Sequence, residues 1–222
     1  YHFYFASNGK KTVSTEKTIG NVKYTFDDRG VAQDSWVHNS DKGTWKYYGD
    51  EEEPKLHTGW FEAVPSKELN SDDHENGTTH WYYANSKGEI TIPTADGEVG
   101  VVKTIDGKSY LFNSDGEMVT GLRILTYDGS KITNISSEVD TADTVKNMNS
   151  DTMKLVYFES NGAAKTGTTT ITLDGTSYTF SFKSNGSPRG VGETGISDGY
   201  IYQNGLRLTA DEDTKYGVVT TL

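Results

Sequence analysis

No cysteine occurs among the 222 residues, which excludes disulfides, thiolate metal sites and a cysteine nucleophile. Aliphatic residues are scarce: Leu, Ile, Val and Phe together number 43, about 19% of the chain. With a net charge of −11 from 21 basic and 32 acidic residues, the composition sits at the border of chains that bury too little to fold. No apolar run approaches the roughly 20 residues of a membrane span, so membrane insertion is not expected. A basic excess is missing too, and nucleic acid, whose phosphates need a basic face, is not an expected partner. Neither an initiator methionine nor a secretory leader opens the sequence. Tyr1 stands inside a repeat, so a fragment of a longer chain is expected.

Catalytic signatures are equally thin. There is no Gly-x-Ser-x-Gly, no P-loop and no dinucleotide fingerprint, and the five histidines at 2, 38, 57, 74 and 80 lack a spacing such as His-Glu-x-x-His. The 32 carboxylates leave a glycosidase-like pair open by count. An array of short hairpins offers no deep pocket to shift a carboxylate pKa. No enzyme activity, catalytic residue, metal or cofactor is therefore expected. The runs Glu51-Glu52-Glu53 and Asp72-Asp73-His74-Glu75 read as solvated loops, a surface Ca²⁺ being the sharper alternative.

Aromatics supply what the aliphatics lack. Fourteen Tyr, eight Phe and four Trp are spread along the chain, and each ring can bury on the order of 150–250 Å². The chain is expected to fold through aromatic strand faces, as a thin, elongated body.

Self-similarity is visible by eye. Ile19-Gly20-Asn21-Val22-Lys23-Tyr24-Thr25-Phe26, Ile105-Asp106-Gly107-Lys108-Ser109-Tyr110-Leu111-Phe112 and Leu173-Asp174-Gly175-Thr176-Ser177-Tyr178-Thr179-Phe180 keep an aliphatic residue, a Tyr and a Phe at fixed spacing. Tyr and Phe two apart share one strand face, and these pairs are expected in the core. A second turn follows: Phe5, Phe26, Phe112, Phe158 and Phe182 each precede a Gly by four residues, at Gly9, Gly30, Gly116, Gly162 and Gly186. Eleven of the 24 glycines stand in Asn-Gly or Asp-Gly, the strongest short-range hairpin signal, because such turns need positive φ.

The expected fold class is all-β: tandem short antiparallel β-hairpins stacked as an elongated, solenoid-like array. A lone hairpin is marginal in water, so neighbours must supply the other wall. A β-sandwich is the bland alternative, but it gives no reason to repeat the Tyr-x-Phe phrase. Residues 61–79, polar and holding Pro65, read as an inserted loop. Residues 126–152 read as an insertion or linker, with a short helix near 137–149 from Val139, Ala142, Val145 and Met148. That divides the chain into a Trp-bearing array, 1–125, and a Trp-free array, 153–222.

The segment Ser35-Trp36 to Trp45-Lys46-Tyr47-Tyr48, then Thr58-Gly59-Trp60 and Trp81-Tyr82-Tyr83, resembles the choline-binding repeats of bacterial surface proteins. Phe112-Asn113-Ser114-Asp115-Gly116 to Thr120-Gly121 is similar to the wider cell-wall-binding and glucan-binding repeats. The pattern departs at Ser35, which stands for a Gly, and at Leu122, which stands for a Trp. The resemblance implies aromatic cages for a quaternary ammonium or a sugar. By motif the first comprises Trp36, Trp45, Tyr47 and Trp60, and the second Trp60, Trp81, Tyr83 and Tyr110. It also implies a non-catalytic module on a bacterial cell surface or secreted outside the cell. The implied partner is a cell-wall polymer, teichoic-acid choline or a glucan-type polysaccharide. The rival is a purely structural spacer or adhesin stalk whose degenerate repeats have lost their ligand.

Overall fold

The computed structural model describes residues 1–185 and 189–210. Within them the fold is all-β, with sixteen strands, two short helices and antiparallel pairing throughout. Gly186 of the last Phe-x-x-x-Gly phrase and residues 211–222 of the expected second array lie outside the described residues. The chain divides into two compact units. One comprises Tyr1–Thr94 with Asp115–Glu117, the other Ala95–Ser114 and the described residues from Met118 onward.

The first unit contains three separate hairpins. Strands β1 (Thr15–Ile19) and β2 (Val22–Phe26) form the first, β3 (Trp36–Asn39) and β4 (Thr44–Tyr47) the second. The third pairs β5 (Gly59–Ala63) with β6 (His80–Ala84). Tight loops end in single antiparallel bridges at Phe5–Lys11, Phe26–Ala32 and Ala84–Ile90. Short polar side chains hold these loops. The Asp27 carboxylate accepts from the Arg29 and Val31 amides at 2.9 and 2.8 Å, and Asn85 Oδ1 from those of Lys87 and Glu89 at 2.8 and 3.1 Å.

Stacking explains the glycine in the loop. Gly88 has φ +78°, and a Cβ there would meet the Leu56 side chain. Leu56 itself is tied to the first hairpin, its amide donating to the Lys23 carbonyl at 2.9 Å.

Rings fill the space between hairpins. Trp45, Phe61, Ala63, Tyr82, Ala84 and Ile90 form the buried cluster, with half-buried Trp36 and Tyr47 packed against it. The stretch 61–79 is more ordered than an inserted loop. Phe61–Ala63 belong to β5, and α1 (Ser71–Asn76) follows. Asn70 caps this helix by accepting from the Asp73 amide at 3.1 Å, and Gly77 ends it at φ 67°.

The second unit joins its hairpins into wider sheets. Strands β7 (Gly100–Ile105), β8 (Lys108–Asn113), β9 (Gly121–Asp128), β10 (Lys131–Ile135) and β11 (Met153–Phe158) run in the order β11-β9-β10-β7-β8. Strands β12 (Gly167–Leu173), β13 (Thr176–Phe182), β14 (Gly195–Ser197), β15 (Tyr200–Gln203) and β16 (Leu206–Arg207) run in the order β12-β13-β16-β15-β14. The turn Asp106-Gly107 joins β7 to β8 with φ of 49° and 77°, the doubly positive geometry that matches strand twist.

Residues 126–152 do not form a linker. They supply the end of β9, all of β10 and α2 (Ala142–Lys146), and β10 lies inside the first five-stranded sheet. The helix falls within the expected 137–149 and buries Ala142 and Val145, while Val139 before it and Met148 after it join the same cluster. Leu122, Ile124, Leu155, Leu173, Phe180, Phe182 and Leu206 complete that core. Of the repeated pairs, Phe26, Phe112 and Phe180 are buried, and Tyr24, Tyr110 and Tyr178 are half-buried.

Candidate functional site: an aromatic strand face

Side chains alternate across a strand, so register decides which rings meet. In the third hairpin Trp60 pairs with Tyr83 and Glu62 with Trp81, while Phe61 pairs with Tyr82. Trp60, Glu62, Trp81 and Tyr83 therefore share one face, and Phe61 and Tyr82 share the other. The Trp60 and Tyr83 rings meet edge-on, 5.1 Å apart at 67°. Trp81 is 45% exposed, among the most open large rings of the unit. Glu62 brings a carboxylate to the same face and accepts from the Thr79 hydroxyl at 2.6 Å.

The second hairpin has the same register. Trp36 pairs with Tyr47 and His38 with Trp45, so all four side chains share a face. There the rings are covered. Trp36 and Tyr47 lie 4.9 Å apart, and both pack on the back of the third hairpin. Trp36 reaches Tyr82 at 4.9 Å and Phe61 at 6.1 Å, and Tyr47 stacks on Phe61 at 5.4 Å. The Trp36 indole N–H donates to the Val64 carbonyl at 2.8 Å. Trp45 is only 7% exposed, with the His38 ring stacked on it at 4.2 Å.

The structure thus gathers Trp36, Trp45 and Tyr47 with Phe61 and Tyr82. Trp60, by strand alternation, projects from the other face of β5. Tyr110, expected in the second cage, lies on β8 in the second unit. Phe61 and Tyr82 were absent from the expected site. Alternation in Gly-Trp-Phe and Trp-Tyr-Tyr was the signal that sets them opposite Trp60 and Trp81.

Burial shapes the titratable groups here. His57 lies 5.1 Å from the Tyr47 ring and 5.2 Å from Phe61. Desolvation, then the Lys55 charge, holds its imidazole below the usual range. Desolvation, then Asp50, pushes the Tyr47 phenol up. The face of Trp60, Trp81 and Tyr83 offers π-surface beside a carboxylate. A cation over such rings gains about 0.5–2 kcal/mol per ring, and their faces equally suit stacking on a sugar.

Hairpins closed by glycine turns, with rings packed between them, have counterparts of the same fold among solved structures. Among solved structures, choline binding protein F from Streptococcus pneumoniae superposes with a TM-score of 0.56 at 18% identity, over 93% of this chain and 54% of that one. CbpF in complex with ipratropium gives 0.54 at 20% identity, over 90% and 50%. The Streptococcus pneumoniae protein in the presence of a peptidoglycan analogue, a tetrasaccharide-pentapeptide, gives 0.53 at 20%, over 90% and 48%. The chain spans about half the length of these proteins, and at such identities the likeness is one of fold. No family model matches the chain, and no curated protein matches it.

Proposed function

We propose that this chain is a non-catalytic cell-wall-binding module whose contact surface is the face bearing Trp60, Trp81 and Tyr83. The carrying observation is the Trp60–Tyr83 ring pair at 5.1 Å, with the open Trp81 ring across from Glu62. The ligand is a cell-wall polymer carrying choline or built of glucan, and the setting is the bacterial surface or its exterior. The fold shared with choline binding protein F supports this reading, as does the motif match at Gly59-Trp60 and Trp81-Tyr82-Tyr83. No described helix is long and apolar enough to cross a membrane. In this proposal the Trp-bearing part, 1–125, binds, and the Trp-free part, 153–222, serves as scaffold.

Affinity for a single ligand unit is weak, about −4 kcal/mol or millimolar, and a polymer compounds it by avidity. Titration of the intact chain with choline and with α-glucan oligosaccharides, read by tryptophan fluorescence, tests the reading. A saturable change at millimolar ligand that disappears in Trp60→Ala supports it. An unchanged spectrum with both ligands and with purified walls points to the spacer. The burial of Trp45 and the Trp36 bond to Val64 favour a packing role for the second hairpin's rings.

A further inference from the structure

On the other side of β6, three ligand-bearing side chains converge that neither the aromatic face nor the repeat pattern uses. We propose that Asp73, His80 and Glu117 form a binding site for a divalent transition-metal cation of the zinc class. Their ligand atoms all lie within 4.8 Å of one another. His80 Nε2 is 2.9 Å from Asp73 Oδ2 and 3.6 Å from Glu117 Oε1. The donors come from α1, from the start of β6 and from the 115–117 segment of the same unit.

The surroundings organise the donors as an outer shell does. The Asn70 amide nitrogen donates to Asp73 Oδ2 at 2.9 Å and to Glu117 Oε1 at 3.0 Å, holding the two carboxylates toward one point. Glu117 is buried, its side chain 9% exposed, while Asp73 and His80 keep 32% and 26%. The site is thus closed on one side and reachable from the other. One imidazole and two carboxylates make a set that suits zinc and its neighbours, since calcium takes oxygen ligands alone. Zinc bonds of about 2.0–2.2 Å place tetrahedral ligands roughly 3.4 Å apart. The two separations from His80 Nε2, 2.9 and 3.6 Å, lie within about half an ångström of that.

A second observation points the same way. The Tyr82 side chain is fully buried, and its hydroxyl has no hydrogen-bond partner. It lies two residues after His80, on the same face of β6. A water completing such a three-ligand site would offer that hydroxyl an acceptor. Bound metal would fasten α1 to the hairpin that carries Trp60 and Trp81.

The test is independent of any wall ligand. The intact chain, stripped with chelator, is titrated with Zn²⁺ by calorimetry, and its melting is followed with and without the ion. One ion per chain with a micromolar or tighter Kd, and a melting point several degrees higher, is expected. His80→Gln and Asp73→Asn should each weaken binding at least tenfold, Tyr82→Phe a few-fold, and the exposed neighbour Asp72→Asn not at all. Absence of stoichiometric binding overturns the proposal. So does binding that survives both His80→Gln and Asp73→Asn, which would assign the ion to other surface carboxylates. Should His80→Gln fail to fold, the Co²⁺ form of the natural chain decides. A paramagnetically shifted imidazole proton supports the site, and its absence refutes it.

Discussion

The first unit keeps its hairpins as separate two-stranded sheets and joins them through rings, whereas the second merges its hairpins into two five-stranded sheets. Around the third hairpin the core is Trp45, Phe61 and Tyr82 with Trp36 and Tyr47 against it. In the second unit it is Leu122, Ile124, Leu155, Leu173 and Leu206 with Phe180 and Phe182. The difference follows from composition. Where aliphatics are few, large rings bridge the gap between narrow hairpins. Where Leu and Ile gather, strands pair edge to edge over a buried aliphatic core. Only the ring-built unit leaves an open Trp on a strand face, and there the binding role is proposed.

Core truncation should give the largest effect in both units. Phe112→Ala removes a fully buried ring and should cost about 3–5 kcal/mol, read by urea denaturation. A loss under about 1 kcal/mol would show that ring to be dispensable. Phe61→Ala should cost a similar amount, about 3–5 kcal/mol. It should also change tryptophan emission, because Trp36 and Tyr47 rest on that ring.

Glycines come next and separate stacking from turn geometry. Gly88→Ala meets Leu56 as well as a positive φ and should cost about 2–4 kcal/mol from overpacking and strain together. Gly107→Ala has open space around it and should cost only the φ penalty, about 1–2 kcal/mol. Equal losses would mean that repeats do not stack through the loop glycine. Of the same order, Trp36→Phe leaves the Val64 carbonyl without its 2.8 Å donor, a loss of about 1–2 kcal/mol.

The smallest effect is a pH dependence confined to the first unit. The His57 imidazole is held below its ordinary 6.5 in the folded chain, so the unfolded chain binds more protons in that window. Its contribution to stability is complete above about pH 6.5 and is lost as pH falls through the lower folded value. Melting curves from pH 7.5 to 5 should show the decline, and His57→Phe should flatten it. A decline unchanged in that variant would assign it to another group.

Much of this was legible in the sequence. The Asp-Gly turns and the Tyr-x-Phe pairs announced the hairpins, because φ and strand alternation are local properties. The loop Asn85 to Gly88 is hard to read from sequence because Ala84 stands where other copies carry Phe. Strand β10 was hidden by a bulge between Ile132 and Asn134, which breaks the alternation that marks a strand. Helix α1 was masked by its polar face, although Asn70 and Gly77 are its caps. At the candidate site, the Gly-Trp and Trp-Tyr-Tyr phrases point to Trp60, Trp81 and Tyr83, but the register that pairs Trp60 with Tyr83 is a property of the β5–β6 hairpin. Which hairpin's back would cover Trp36 and Tyr47 was not legible, since that depends on contacts between repeats. The cluster of Asp73, His80 and Glu117 was invisible for the same reason.

Binding of the intact chain to purified bacterial walls, measured by co-sedimentation for the natural chain, Trp60→Ala and Trp36→Phe, tests the central claim most directly. The natural chain and Trp36→Phe should sediment with the walls and be released by excess choline or by glucan oligosaccharide. Trp60→Ala, folded by circular dichroism, should stay in the supernatant, since losing one ring removes about 0.5–2 kcal/mol at every site the polymer engages. Trp60→Ala sedimenting as well as the natural chain, or a natural chain that never sediments, would contradict the claim.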